Sequence, residues 1–170
     1  MKHVLFRPAH DPVRAAADVA KEAAKKAACW LLLAAALLPS AARTDCQVSS
    51  VGDVGFGAYD VFSKVPNRAG AGTVRIKCQG GGHGADVKLS RGQSHSYTTR
   101  LMRSGNDSLE YNLYTTAARS VVWGDGSGAS EVMTVDKNQT TTLSIFGSIP
   151  EGQDPAVGNY ADSILISVEF

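Results

Sequence analysis

From Arg43 onward, apolar and polar positions alternate in short runs, and turn residues separate the runs. Thr73-Val74-Arg75-Ile76-Lys77-Cys78 is the clearest case, with Val74, Ile76 and Cys78 on one side and Thr73, Arg75 and Lys77 on the other. Ala85–Ser90 repeats the pattern with Val87 and Leu89 on one face. Gln47–Val51 and Gly55–Val61 predict two earlier strands. Arg100–Arg103 and Leu109–Tyr114 predict a pair joined through the turn sequence Ser104-Gly105-Asn106-Asp107. Thr140–Ile149, rich in Thr and Ile, and Tyr160–Phe170 predict the last two strands. Gly80-Gly81-Gly82 and Trp123-Gly124-Asp125-Gly126-Ser127-Gly128 read as loops. After residue 43 there is no apolar stripe of helical period ten residues long, so short strands and Gly-rich turns predict a sandwich or barrel.

The first 42 residues follow another pattern. Lys21, Lys25 and Lys26 precede the unbroken apolar run Ala27–Leu38, and Pro39 and the small residues Ser40-Ala41-Ala42 follow it. Twelve residues are too few for a permanent membrane helix, which needs about 20. A basic flank, a short apolar stretch and small residues at a cleavage site are the layout of a secretory signal peptide. Residues 1–42 are therefore expected to be an N-terminal extension and cleaved signal, with any membrane contact confined to it, and 43–170 the mature domain. Composition divides at the same place: all 17 glycines lie after residue 42. So does charge. Met1–Ala42 carries six Lys/Arg against three Asp/Glu, and the remainder carries eleven against thirteen. The domain has no basic excess to neutralise phosphates, which argues against a nucleic-acid partner.

Export changes the reading of the cysteines. Cys29 lies inside the signal, and Cys46 and Cys78 remain in the mature chain. An even count in an exported protein predicts a Cys46–Cys78 disulfide. Two cysteines without paired histidines do not complete a tetrahedral metal site.

Catalytic candidates are thin. His83 and His95 are the only histidines of the domain, in Gly-Gly-His-Gly and Gln-Ser-His-Ser. Ser94, His95 and Asp86 supply the residue types of a hydrolase triad but no Gly-x-Ser-x-Gly elbow, and solvated loop histidines account for them. Gly124–Gly128 lacks the Gly-Lys-Ser/Thr end of a phosphate loop and reads as a turn. Tyr111, Tyr114 and Trp123 offer the aromatic surface of a sugar site, but such residues more often fill a sandwich core. The expectation is a non-enzymatic protein without cofactor.

Motifs in order give a sharper reading. Asp45-Cys46-Gln47-Val48 is followed by Phe56-Gly57-Ala58-Tyr59-Asp60, Val74-Arg75-Ile76-Lys77-Cys78 and Leu89-Ser90-Arg91-Gly92. Arg100-Leu101-Met102 then precedes Leu109-Glu110-Tyr111-Asn112-Leu113-Tyr114. Trp123-Gly124-Asp125-Gly126, Ile145-Phe146-Gly147-Ser148-Ile149, Gly158-Asn159-Tyr160-Ala161-Asp162 and Ile166-Ser167-Val168-Glu169-Phe170 complete the series. From Cys46 to Phe170 this resembles the spore coat protein U domain family, which includes subunits of archaic chaperone–usher pili.

The resemblance implies an all-β, incomplete immunoglobulin-like sandwich that lacks its last strand and is completed by a donor strand from a partner. The implied partners are a periplasmic chaperone, then neighbouring pilus subunits, with an outer-membrane usher; the implied route is export to the periplasm and on to the cell surface or fimbrium. The mode is β-augmentation, with backbone hydrogen bonds for affinity and pockets for alternate side chains. Ile164, Ile166, Val168 and Phe170 lie on one face of the final strand at period two and are the expected edge of the donor-strand and chaperone groove. One departure stands out. Only Arg43-Thr44-Asp45 separates the predicted cleavage site from Cys46. Three residues reach about 10 Å, too short for a donor strand. The expected role is therefore a tip subunit that accepts a strand and does not donate one; the alternative is a coat or matrix protein of the same fold that does not polymerise.

Overall fold

The computed structural model describes residues 45–170, and the predicted signal segment lies outside them. The described chain forms ten strands and no helix: β1 (Asp45–Gly55), β2 (Ala71–Gln79), β3 (Ala85–Leu89), β4 (Arg100–Ser104), β5 (Asp107–Tyr114), β6 (Val122–Trp123), β7 (Ser130–Glu131), β8 (Met133–Val135), β9 (Thr140–Ser148) and β10 (Ile166–Glu169). They build two sheets. The larger runs β1-β2-β9-β5-β6-β7, with β4 also paired to β5, and the smaller runs β10-β3-β8.

Alternation explains the sandwich. β2 buries Val74, Ile76 and Cys78 and exposes Arg75 and Lys77. β3 buries Ala85, Val87 and Leu89; β5 buries Leu109, Tyr111 and Leu113; β9 buries Leu143 and Ile145. These inward faces form one core between the sheets. Cys46 and Cys78 face each other across the antiparallel β1–β2 pair and are joined as a disulfide, with Cα atoms 4.1 Å apart. The β4–β5 hairpin turns at Gly105, whose φ of 60° suits a residue without Cβ.

Three sequence expectations change. Gly55–Val61 is not a strand: β1 is one long strand ending at Gly55, with irregularities between Val48 and Ser50 and between Gly52 and Gly55. The backbone beyond it is held by the Asn67 amide, which donates to the carbonyls of Phe56 (3.0 Å) and Ala58 (3.3 Å). Second, Trp123 does not open a loop. It lies in β6, is 0% exposed, and donates from Nε1 to the Val87 carbonyl at 2.8 Å, tying the large sheet to the small one. Third, the final strand covers Ile166–Glu169 and not Tyr160–Phe170. Ala161 pairs instead with Arg103 of β4, and Leu165 with Ser90, so the approach is divided between two partners.

Arg100 is the polar centre of the core. It is 0% exposed, yet no carboxylate among the described residues is hydrogen-bonded to it. Its guanidinium donates to the Ser90 carbonyl (3.1 and 2.9 Å), Asn112 Oδ1 (2.7 Å) and the Trp123 carbonyl (2.7 Å). It also lies 5.2 Å from the centre of the Tyr97 ring. Burial lowers its pKa from the ordinary arginine value. Such a charge is tolerated because neutral oxygens from three separate segments satisfy it.

Candidate functional site

The two sheets do not close on each other along one side. β10 pairs only with β3, and β1 only with β2. Both outer edges therefore carry unpaired backbone groups among the described residues, the kind of edge that templates another strand. Beside them lies a cleft of about 850 Å³. Val51–Tyr59 forms one wall and Pro155–Asp162, Ile164 and Ile166 the other. Leu89, Met102, Leu109, Tyr111, Leu113, Ile145 and Ile149 contribute core side chains to its lining. At the mouth, Val51 is 53% exposed and Val157 fully exposed.

Both walls are anchored. On the β1 side, the Phe56 ring packs edge-on against Tyr111, with centroids 5.7 Å apart. Phe56 fits because Gly70 and Gly147 lack side chains: a Cβ on Gly70 would come within 2.4 Å of its ring, and one on Gly147 within 2.5 Å. Opposite, the Gln153 side chain pairs like a peptide group with Glu110 at the edge of β5, accepting from its N–H (2.7 Å) and donating to its carbonyl (3.0 Å). Asp107 Oδ2 accepts from the Ala156 N–H (2.6 Å) and the Tyr160 hydroxyl (2.7 Å). The bond from Tyr160, then those from the Ala156 and Ser108 N–H groups, hold the Asp107 carboxyl below its usual range. Burial and the Asp107 carboxylate push Tyr160 up to about 12. Asp162 accepts from the Tyr111 hydroxyl (2.7 Å) and the Gln93 N–H (3.0 Å). Burial first, then Asp162, raise the Tyr111 pKa, so this phenol stays neutral and donates.

The four residues expected at the groove edge separate. Ile164, Ile166 and Val168 share a half-buried face packed on the core. Ile164 and Ile166 line the cleft; Val168 does not. Phe170 lies beyond β10 and is 64% exposed, apart from the cleft. Sequence reading missed the β1 wall and the whole Pro155–Asp162 wall. The paired Gly70 and Gly147, opposite a Phe after Gly55, were the available signal. Among the other candidates, His83 and His95 are exposed, and the Ser94 hydroxyl donates to the carbonyls of Ser96 and Thr99. Tyr111 and Trp123 are core residues.

The arrangement presents a cleft walled by the edge strand β1 and the residues after it on one side and by the irregular Pro155–Asp162 segment, Ile164 and Ile166 on the other. The family model for the Spore Coat Protein U domain matches residues 32–167. The chain belongs to the Spore Coat Protein U domain family. A protein of similar sequence is Protein U of Myxococcus xanthus, 26% identical over 132 residues, covering 70% of this chain and 72% of that protein. Among solved structures, the fold resembles a chain in the chaperone–tip adhesion subunit pre-assembly complex of the archaic chaperone–usher Csu pili of Acinetobacter baumannii. That match has a TM-score of 0.53 and 21% identity, and covers 75% of this chain but only 40% of the other. The Spore Coat Protein U domain described here thus shares an all-β, two-sheet sandwich with it.

Proposed function

We propose that this chain is a structural subunit of a secreted surface fibre of the archaic chaperone–usher type, assembled by accepting a β-strand into the cleft. One observation carries the reading: the unpaired edge of β1 and Ile166 at the start of the edge strand β10 border an anchored cleft lined by core side chains, with exposed valines at its mouth. An incoming strand pairs with those edges and covers the trough, burying apolar surface at about 25 cal/mol per Å². A periplasmic chaperone fills the cleft first. A neighbouring subunit's strand replaces it at the outer-membrane usher, and the product lies at the cell surface. The likeness to a chain of the Csu chaperone–tip subunit complex supports the chaperone as a partner.

Within that reading the chain is a tip subunit. β1 is already paired with β2 at Asp45, so it leaves no free strand downstream of the predicted cleavage site. The deciding experiment purifies the exported protein with and without its chaperone and sequences its N-terminus. The expected result is a one-to-one chaperone complex, a start near Arg43 and no self-polymers. A mature start at or upstream of Leu33 together with ordered self-polymers overturns the tip position. The second reading, a coat protein that does not polymerise, draws on the family's description as a spore coat domain. Stable chaperone-free monomer that binds no strand peptide favours it.

A further inference from the structure

The walls of the cleft carry a charge imbalance that bears on what strand fits there. Among the described residues that line it are two carboxylates, Asp53 and Asp162, and no Lys, Arg or His. The two differ in what they have left to offer. Asp162 is engaged on both oxygens, by Tyr111 on one and by Gln93 and the Ser163 N–H on the other. Asp53 is exposed, and among the described residues its carboxylate makes no hydrogen bond or ion pair. It sits in the irregularity of β1 between Gly52 and Gly55, beside Val54, which packs on the core.

We infer that the strand accepted by this cleft carries a Lys or Arg at the polar position that comes to lie beside Asp53. This rests on the reading of the cleft as a strand acceptor and deepens it by naming the chemistry of the occupant. An alternating strand puts its apolar residues into the trough and its polar residues toward the rim. A cation there meets an unpaired carboxylate. An Asp or Glu there meets a carboxylate of its own sign. Charge at such a rim selects among strands of similar hydrophobicity, partly by penalising the wrong ones. It also fixes register, because sliding by two residues separates the pair.

The test uses the full exported protein and synthetic peptides of about ten residues, the upper range of natural strands, alternating Val with Thr. One Thr is replaced in turn by Lys, Gln or Glu at each polar position, and affinity is read by fluorescence anisotropy. At one position Lys should bind about two- to fivefold tighter than Gln, as expected of a partly exposed ion pair, and Glu more weakly than Gln. The difference should shrink in high salt and vanish in Asp53→Asn, an exposed change that leaves the fold intact. Measurable binding that is flat across Lys, Gln and Glu overturns this inference and leaves the acceptor cleft standing. A Lys preference that survives Asp53→Asn overturns the assignment to Asp53. No binding by any peptide overturns the acceptor reading, and this inference with it.

Discussion

Ile166 is the residue at which the cleft reading is most open to test. It starts β10, faces the core with Ile164 and Val168, and lines the cleft; Ser167 follows it on the opposite face. Ile166→Asp places a carboxylate where a bound strand excludes water. To be covered in neutral form at pH 7 from an ordinary pKa near 4 costs up to about 4 kcal/mol. Ile166 is only partly buried before binding, so part of this is relieved by residual solvent, and lost apolar contact adds about 1 kcal/mol. The expected loss is about 2–4 kcal/mol, or roughly 30- to 1,000-fold in peptide affinity. Ser167→Asp should change affinity by no more than about twofold, as surface substitutions do. Ile166→Ala, which adds no charge, should lose about fivefold. Isothermal titration with a strand peptide measures each, and urea midpoints of the free proteins check that all remain folded. Equal losses from Ile166→Asp and Ser167→Asp would refute the assignment of faces, and unchanged binding in both would refute the cleft as the site of strand capture.

Four further outcomes are expected. Native exported protein should contain no free thiol by mass spectrometry, and reduction should lower its stability by about 3.5–4 kcal/mol in urea, the loop-entropy value for residues 32 apart in sequence. Gly70→Ala should destabilise by about 1–3 kcal/mol, because its Cβ meets the Phe56 ring and the Gly147 Cα at 2.8 Å; the urea midpoint reads this, and a neutral result shows that Phe56 yields freely. Arg100→Lys should cost about 3 kcal/mol or more in urea, since an ammonium cannot reach three acceptors in the plane a guanidinium spans. Acid should loosen the Pro155–Tyr160 wall: Asp107 has a depressed pKa when folded, so its contribution is complete above the unfolded value near 4 and is lost as pH falls through the folded one. Asp107→Asn should flatten that acid limb of the urea midpoint against pH, and an unchanged limb would place the sensitivity elsewhere.

How much of this was readable in the sequence depends on where each signal resides. β2, β3 and β9 are half-buried strands, so alternation in a single segment declares both strand and face, as at Val74, Ile76 and Cys78. The disulfide needed only an even cysteine count behind an export signal. The end of β1 misled because its backbone is governed from outside: Asn67 binds the carbonyls of Phe56 and Ala58, and no local pattern announces that. The same holds for the segment before β10, where Ala161 turns to Arg103 and Leu165 to Ser90. The Pro155–Asp162 wall has no regular structure for a period to report; it is fixed by side chains of Asp107 and Tyr111 some fifty positions earlier. Arg100 reads as one more polar position of a strand until Ser90, Asn112 and Trp123 are brought around it.

The direction of the strands bears on how such a subunit joins others. β1 starts at Asp45 opposite Gln79 and ends at Gly55 opposite Ala71. β3 follows β2 and runs back toward Leu89, where it meets Ile166, while Glu169 ends opposite Asp86. Asp45 and Glu169 therefore belong to one pole of the sandwich, and Gly55 and Ile166 lie toward the other. The cleft, lined by Val51–Tyr59 and by Pro155–Asp162, Ile164 and Ile166, belongs to the second pole. Asp45, to which a donor segment of the proposed kind would be joined, lies at the first. Folding such a segment back along the whole of β1 to fill its own cleft requires a reversal at Asp45, where the chain is already committed to pairing with Gln79. Filling the cleft of another molecule requires none. A donor at one pole and an acceptor at the other form a head-to-tail contact that does not close on itself, and repetition of that contact gives a filament. In this geometry the length of chain before Asp45 sets the role. On the reading proposed above, a subunit with a strand's worth of residues there continues the filament, and one with two or three accepts a strand and ends it.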